Sequence, residues 1–129
     1  MVAIADGDTA TVLHDNEQVR VRLAEIDAPE KKQPFGTRSQ QSLAELVFGK
    51  TVTVREAGKD RYGRTIGYLI FDGTNANTEQ IRRGMAWVYD RYVTDRTLYA
   101  HQDKAKNSRT GLWADASPIP PWEWRKGSR

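Results

Sequence analysis

Polar and apolar positions alternate with a period of two along several short stretches of the chain. Val19, Val21 and Leu23 alternate with Arg20, Arg22 and Ala24, so a half-buried strand is predicted from Val19 to Ile26, ending before Pro29. Ala3 to Leu13 reads as one earlier strand, with His14 to Gln18 as the polar turn between them. Thr51 to Ala57 and Thr65 to Phe71 alternate again, separated by a Gly- and Arg-containing turn and closed by Asp72-Gly73. Between the two pairs the period changes to helical. Leu43, Leu46 and Val47 form an apolar stripe, with Thr37 as expected N-cap, Gln40 as its capping-box partner and Gly49 at the C-terminal end. A short helix capped by Asn77 runs to Gly84, and a longer one runs from Thr97 to Ser108 and stops at Gly111. In the tail, Pro118, Pro120 and Pro121 predict extended chain, pinned by Trp122 and Trp124.

The order strand, strand, helix, strand, strand, short helix, long helix predicts an α+β fold. A small barrel with helices, of which the OB-fold is one, fits that order. A length of 129 residues suits one domain, here 1–129 with 118–129 as a proline- and tryptophan-rich tail. Hydrophobic residues make up 38% of the chain, a globular composition, and no apolar run reaches the length of a membrane span. There are no cysteines, which excludes disulfides, thiolate metal sites and cysteine nucleophiles. His14 and His101 lack a second histidine or cysteine at ligand spacing, so they make no zinc site. The net charge of +3 and the abundance of arginine favour a polyanionic partner such as nucleic acid. Few residues precede the first acidic turn, so a trimmed chain whose leader has been removed is expected.

Three polar segments are not explained by folding alone: "DGDT" at Asp6 to Thr9, "RLAEIDAPE" at Arg22 to Glu30, and "DRYGR" at Asp60 to Arg64. Each has an ordinary reading as a turn or a solvated strand residue. Taken together they suit phosphodiester cleavage. A hard divalent cation takes oxygen ligands, which Asp8, Asp27 and the carbonyl of Ala28 can supply. Arg22 and Arg64 offer planar forks that match two phosphoryl oxygens, and Glu30 can accept a proton from an attacking water.

The joint pattern resembles the staphylococcal (micrococcal) nuclease, or thermonuclease, family. There an "IDGDT" turn, a strand end reading "RL…DTPE" and a "D-YGR" turn appear in the same order as "ADGDT", "RLAEIDAPE" and "DRYGR" here. The likeness extends through "LIFDGTNANTEQIRRGMAWVY" and covers roughly Ala3 to Trp113, and the closing "IPPWEWR" resembles the tails of bacterial members. It implies a five-stranded OB-fold barrel with three helices. It also implies Ca2+ held by Asp8, Asp27 and the Ala28 carbonyl, catalysis by Arg22, Arg64 and Glu30, and cleavage of DNA and RNA to 3′-phosphates. By the same likeness Arg61 and Tyr62 would meet the terminal phosphate of the nucleotide, and Trp87 and Tyr89 would lie near the base. A calcium enzyme of this kind would be an exported monomer. The alternative is a non-catalytic nucleic-acid- or protein-binding module on the same barrel. Family members usually carry threonine where Ala28 stands, which a main-chain ligand would tolerate, and the loop after Glu30 looks shorter than in the best-known member.

Overall fold

A computed structural model describes residues 3–127. The first two thirds of the described chain form a sheet built on a meander. β1 (Ala3–Asp6), β2 (Thr9–His14) and β3 (Glu17–Leu23) are antiparallel neighbours. The single strand expected from Ala3 to Leu13 is therefore two. Gly7 makes the break, because a Cβ there would overlap Ser39 Oγ and crowd Ala28 Cβ at 2.9 Å, so only glycine lets this turn pack against the helix below it. The hairpin from β2 to β3 turns at Asp15 and Asn16. Both adopt left-handed φ (49° and 68°), which short amide and carboxylate side chains tolerate.

β3 pairs in parallel with β6 (Thr65–Phe71), placing Arg22 beside Ile66, and β6 pairs antiparallel with β5 (Thr53–Lys59). The five long strands run in the order β1-β2-β3-β6-β5, the α+β arrangement of an OB-type barrel. Two short pairings complete it: β4 (Ile26–Asp27) with β8 (Trp87–Val88), and β7 (Thr74–Asn75) with β6. The expected strand through Ile26 breaks at Ala24 and Glu25, which is what brings Asp27 back toward Arg22. The core gathers Val12, Val21, Leu23 and Leu69 from the sheet. Leu43 and Val47 come from α1 (Gly36–Val47), Ile81 from α2 (Ala76–Arg82) and Leu98 from α3 (Leu98–Asn107).

Helix starts differ from the sequence expectation. α1 begins at Gly36 behind Phe35, a non-glycine residue at φ 69°, and not at a Thr37 cap. Gln40 donates instead to the Ile4 carbonyl (2.9 Å), tying α1 to β1. Gly49 does follow the helix at φ 75°, as expected. Asn75 caps α2, accepting from the amides of Asn77 (2.9 Å) and Thr78 (3.3 Å). The tail is not extended throughout: Pro121–Gly127 is a helix, α4, with Pro121 at its first position, where a missing N–H costs nothing. Among the described residues that makes four α-helices, with a 3-10 turn at Gly111–Ala114 before the last, where three were expected.

Asn77, expected as a cap, lies buried inside α2. Its side chain accepts from Leu69 N–H (3.3 Å) and donates to the carbonyls of Ala24 (3.0 Å) and Gly67 (3.1 Å), joining α2 to β6 and to the bend after β3. Asn77→Ala removes the partner of the Leu69 amide and the Ala24 carbonyl, while the Gly67 carbonyl keeps the Ala24 amide (2.8 Å), and urea unfolding should show a loss of about 2–4 kcal/mol; a change near zero would mean the site loops are held by something else.

Candidate active site

Arg22 lies at the end of β3, where the chain bends toward β4. Its Nη1 donates to the carbonyls of Leu23 (2.7 Å) and Ile26 (2.9 Å), one on each side of the bend. Its Nη2 faces two carboxylates, Asp27 Oδ1 at 3.3 Å and Asp8 Oδ2 at 3.4 Å. Both carboxylates are almost fully enclosed, at 1% and 6% exposure. Asp8 is fixed further by the Ala28 amide, which donates to its Oδ2 at 2.7 Å, and by the Thr9 hydroxyl at 3.0 Å. Asp8 of "DGDT" and the Ala28 amide of "RLAEIDAPE", 20 residues apart in sequence, thus meet in one buried charge cluster.

The bend itself is held by a residue without an expected role. Glu25 adopts φ 70° and is buried. Its carboxylate accepts from the amides of Thr94 and Asp95, the Thr94 hydroxyl and the Tyr68 hydroxyl. Burial works to raise its pKa, but these hydrogen bonds outweigh burial and hold the carboxyl below its usual range.

Two more residues join the cluster beyond those expected. Asp6 Oδ1 is buried and has no hydrogen-bond partner among the described residues. Burial, then the like charges of Asp8 and Glu30, push its carboxyl up to about 6. Arg125, from α4, donates to Asp27 Oδ2 (2.7 Å), Asp27 Oδ1 (3.2 Å) and Glu30 Oε1 (2.6 Å), and reaches the Tyr89 hydroxyl at 3.4 Å. Burial pushes the Asp27 carboxyl up to about 6, against the pull of the Arg125 hydrogen bonds, while Asp8 adds to the push. The "DGDT" motif could have drawn attention to Asp6; the only trace of Arg125 was the basic residue closing "WEWR".

The remaining expected residues lie around this centre. Arg64 precedes β6 by one residue, and the parallel pairing of Thr65 with Val21 brings its backbone alongside the end of β3. Its guanidinium is bound to Asp60 within the "DRYGR" turn (2.6 Å), and no contact joins it to the carboxylate cluster. Asp60 Oδ1 also accepts from the amides of Tyr62 and Arg64 at 2.9 Å each, so the turn is a rigid mount. Arg61 and Tyr62 project from it, with Tyr62 66% exposed. Trp87 packs against Trp113 (centroids 4.5 Å) and joins the small second core with Leu112 and Ala105, so it is largely a packing residue. Tyr89 lies next to the charge cluster and stacks flat on Trp122 at 5.3 Å.

Asp6, Asp8, Asp27 and Glu30 face Arg22 and Arg125, which leaves more negative than positive charge at one spot. All the donors are oxygens. The donor set and the excess negative charge suit a hard divalent cation such as Ca2+. Among the described residues no three His, Cys, Asp or Glu side chains form a ready-made cage, and both oxygens of Asp27 face guanidinium nitrogens. Asp8 and Asp27, already bridged by one nitrogen, are the residues that would hold the ion, and Ala28 follows directly.

Residues 20–115 match the family described as "Staphylococcal nuclease homologue". The chain is 48% identical over 126 residues to an "Uncharacterized endonuclease" of Escherichia coli O157:H7, covering 97% of this chain and 82% of the relative. It is 46% identical over 127 residues to an "Uncharacterized endonuclease" of Haemophilus influenzae (98% and 71%). It is 44% identical over 140 residues to the "Micrococcal nuclease" of Shigella flexneri (100% and 80%).

The raised pKa of Asp6 has a sign that can be tested. Its neutral form is favoured in the fold, so its contribution is fully present below the ordinary value of 3.8 and is lost as pH rises through about 6. With chelator present, Asp6→Asn should stabilise the protein at pH 7.5 by about 1–2 kcal/mol after solvent screening is allowed for. Thermal melts should show that gain vanishing by about pH 4. A variant no more stable at pH 7.5 would show that the Asp6 carboxylate is not penalised by its neighbours.

Proposed function

The chain belongs to the staphylococcal nuclease family, and from that premise we propose that it is a calcium-dependent endonuclease hydrolysing DNA and RNA to leave 3′-phosphate ends. One observation carries this reading: Asp8, Arg22 and Asp27 meet in a single buried cluster, with Glu30 joined to it through Arg125. Burying two carboxylates, Asp8 and Asp27, beside the half-buried Asp6 and Glu30 costs stability and has no packing benefit, which supports reading the cluster as a site.

A divalent cation there supplies positive charge to a phosphoryl oxygen. The chain's own residues supply the rest. Glu30, at the cluster's edge and partly exposed, orients a water and accepts its proton as the water oxygen bonds to phosphorus. The bond from phosphorus to the 5′ oxygen breaks, and that oxygen leaves with a proton from solvent. Arg22 meets the phosphoryl oxygens with the Nη2 edge that now spans the two aspartates. Arg64 does so after turning from Asp60, on the mount its turn provides. Arg61 and Tyr62 meet the backbone beyond the scissile phosphate, which fits recognition of the polyanion without base reading. In keeping with an enzyme that opens nucleic acid in solution, no helix among the described residues is long and apolar enough to cross a membrane.

Incubating the purified protein with denatured DNA and calcium should yield fragments with 3′-phosphate ends, and excess chelator should stop the reaction. Arg64→Ala should lower the rate by about 10²–10³, the usual worth of one preorganised donor to a developing oxyanion. Intact DNA with every metal tried, with binding still measurable, would replace this reading with the non-catalytic binding module. Cleavage indifferent to chelator would remove the cation from it.

A further inference from the structure

The C-terminal helix occupies both halves of the site at once. Arg125 contributes both guanidinium Nη atoms to Asp27, and one of them also to Glu30. Three residues earlier, Trp122 lies flat on Tyr89 (5.3 Å, 5° between planes) and edge-on to Trp87 (5.7 Å). A positive charge thus rests on the carboxylates and an aromatic plate on the ring next to them. These are the two chemistries a cation and a base would bring.

The attachment is asymmetric. At its start the tail is well held: Gln33 Nε2 donates to the Ile119 carbonyl at 2.5 Å, Pro121 is buried, and Trp124 lines a small cavity with Pro29, Phe35 and Leu112. Gln33 Oε1 also accepts from the Glu30 amide at 3.1 Å, so the same side chain joins the tail to the loop carrying Glu30. At its end the hold is through a partly exposed side chain. The Arg125 side chain is 40% exposed although its partner Asp27 is only 1% exposed, so the guanidinium can withdraw into water on its own stem while the helix stays docked.

We infer that Arg125 is a built-in competitor for the divalent cation, a charged plug at the end of α4 that must withdraw from Asp27 before the ion binds. The inference rests on the cation reading proposed above. The reason is electrostatic. A carboxylate already neutralised by a guanidinium attracts a second cation less, and a guanidinium a few ångströms from a divalent ion repels it in a site shielded from water. Arg22 differs from Arg125 in this respect. It is anchored to two carbonyls of the bend and its side chain is 15% exposed, whereas the Arg125 side chain has no such backbone anchor among the described residues and is 40% exposed.

The test is calcium binding without substrate. Calorimetric titration at pH 7.5 would compare the wild type with Arg125→Ala, with Arg125→Gln, which keeps the stem, and with Asp27→Asn. Thermal melts would establish that each is folded. Both Arg125 variants should bind calcium about tenfold or more tightly than the wild type, and Asp27→Asn should abolish binding. Equal affinities in wild type and variants would overturn the competition while leaving the cation site standing. Weaker binding in the variants would overturn it in favour of an arginine that positions Asp27 for the ion. No calcium binding in any variant would overturn the cation reading and this inference together.

Discussion

The arrangement around Arg22 rests on one electrostatic constraint: two carboxylates are buried almost completely, and Arg22 bridges them while Arg125 pairs with Asp27 as well. A buried charge left unpaired costs several kcal/mol, and removing one partner of such a pair typically costs about 3–5 kcal/mol. The chain around it is shaped accordingly. β3 ends where Arg22 can reach the carbonyls of Leu23 and Ile26, and the turn at Gly7 is compressed against Ser39 so that Asp8 meets the amide of Ala28. Such a cluster is a poor way to stabilise a small domain, since apolar residues of similar volume would do as well. Its presence is better explained by chemistry than by folding.

The scaffold holds the segments of this cluster with neutral amide side chains. Asn77 and Gln80 project from one short helix. Asn77 fixes the carbonyls of Ala24 and Gly67; Gln80 donates to the carbonyls of Gly7 (2.8 Å) and Ser39 (3.1 Å) and accepts from the Ser42 hydroxyl. Glu25 clamps the other side of the bend to the segment at Thr94 and Asp95. Both acidic segments are therefore positioned by backbone contacts, while the side chains of Glu30, Arg64 and Arg125 are partly exposed. A tied backbone beneath partly exposed charged groups fits the proposed binding of an ion and a polyanion in turn.

Much of this was legible from the order of residues. The alternation of Thr65 to Phe71 marks β6 at its observed limits, because one face of that strand is buried, the other is half-buried, and turn residues bound it. The grouping of Asp8, Arg22, Asp27 and Glu30 was legible as chemistry, since no folding rule calls for carboxylates and arginine at those spacings. What the sequence hid was set by tertiary contact. Thr37 and Asn77 look like caps, but Phe35 opens α1 in a left-handed conformation, and Asn77 is drawn inside by backbone groups far away in sequence. Three prolines in ten residues suggested extended chain, yet Pro121 starts a helix whose first turn has no use for its N–H. Arg125 could not be read at all: nothing local distinguishes it from other surface arginines, and its meaning lies in a contact 98 residues back along the chain.

The most direct test is to locate the ion. Crystals grown with manganese in place of calcium would give an anomalous signal at the metal. A site at Asp8 and Asp27 predicts one strong peak bounded by those carboxylates and the carbonyl of Ala28, with the Arg125 guanidinium drawn away. A peak elsewhere, or none beside Asp27 with Arg125 still in place, would contradict it and leave the buried carboxylates as an ion-pair network serving the fold alone.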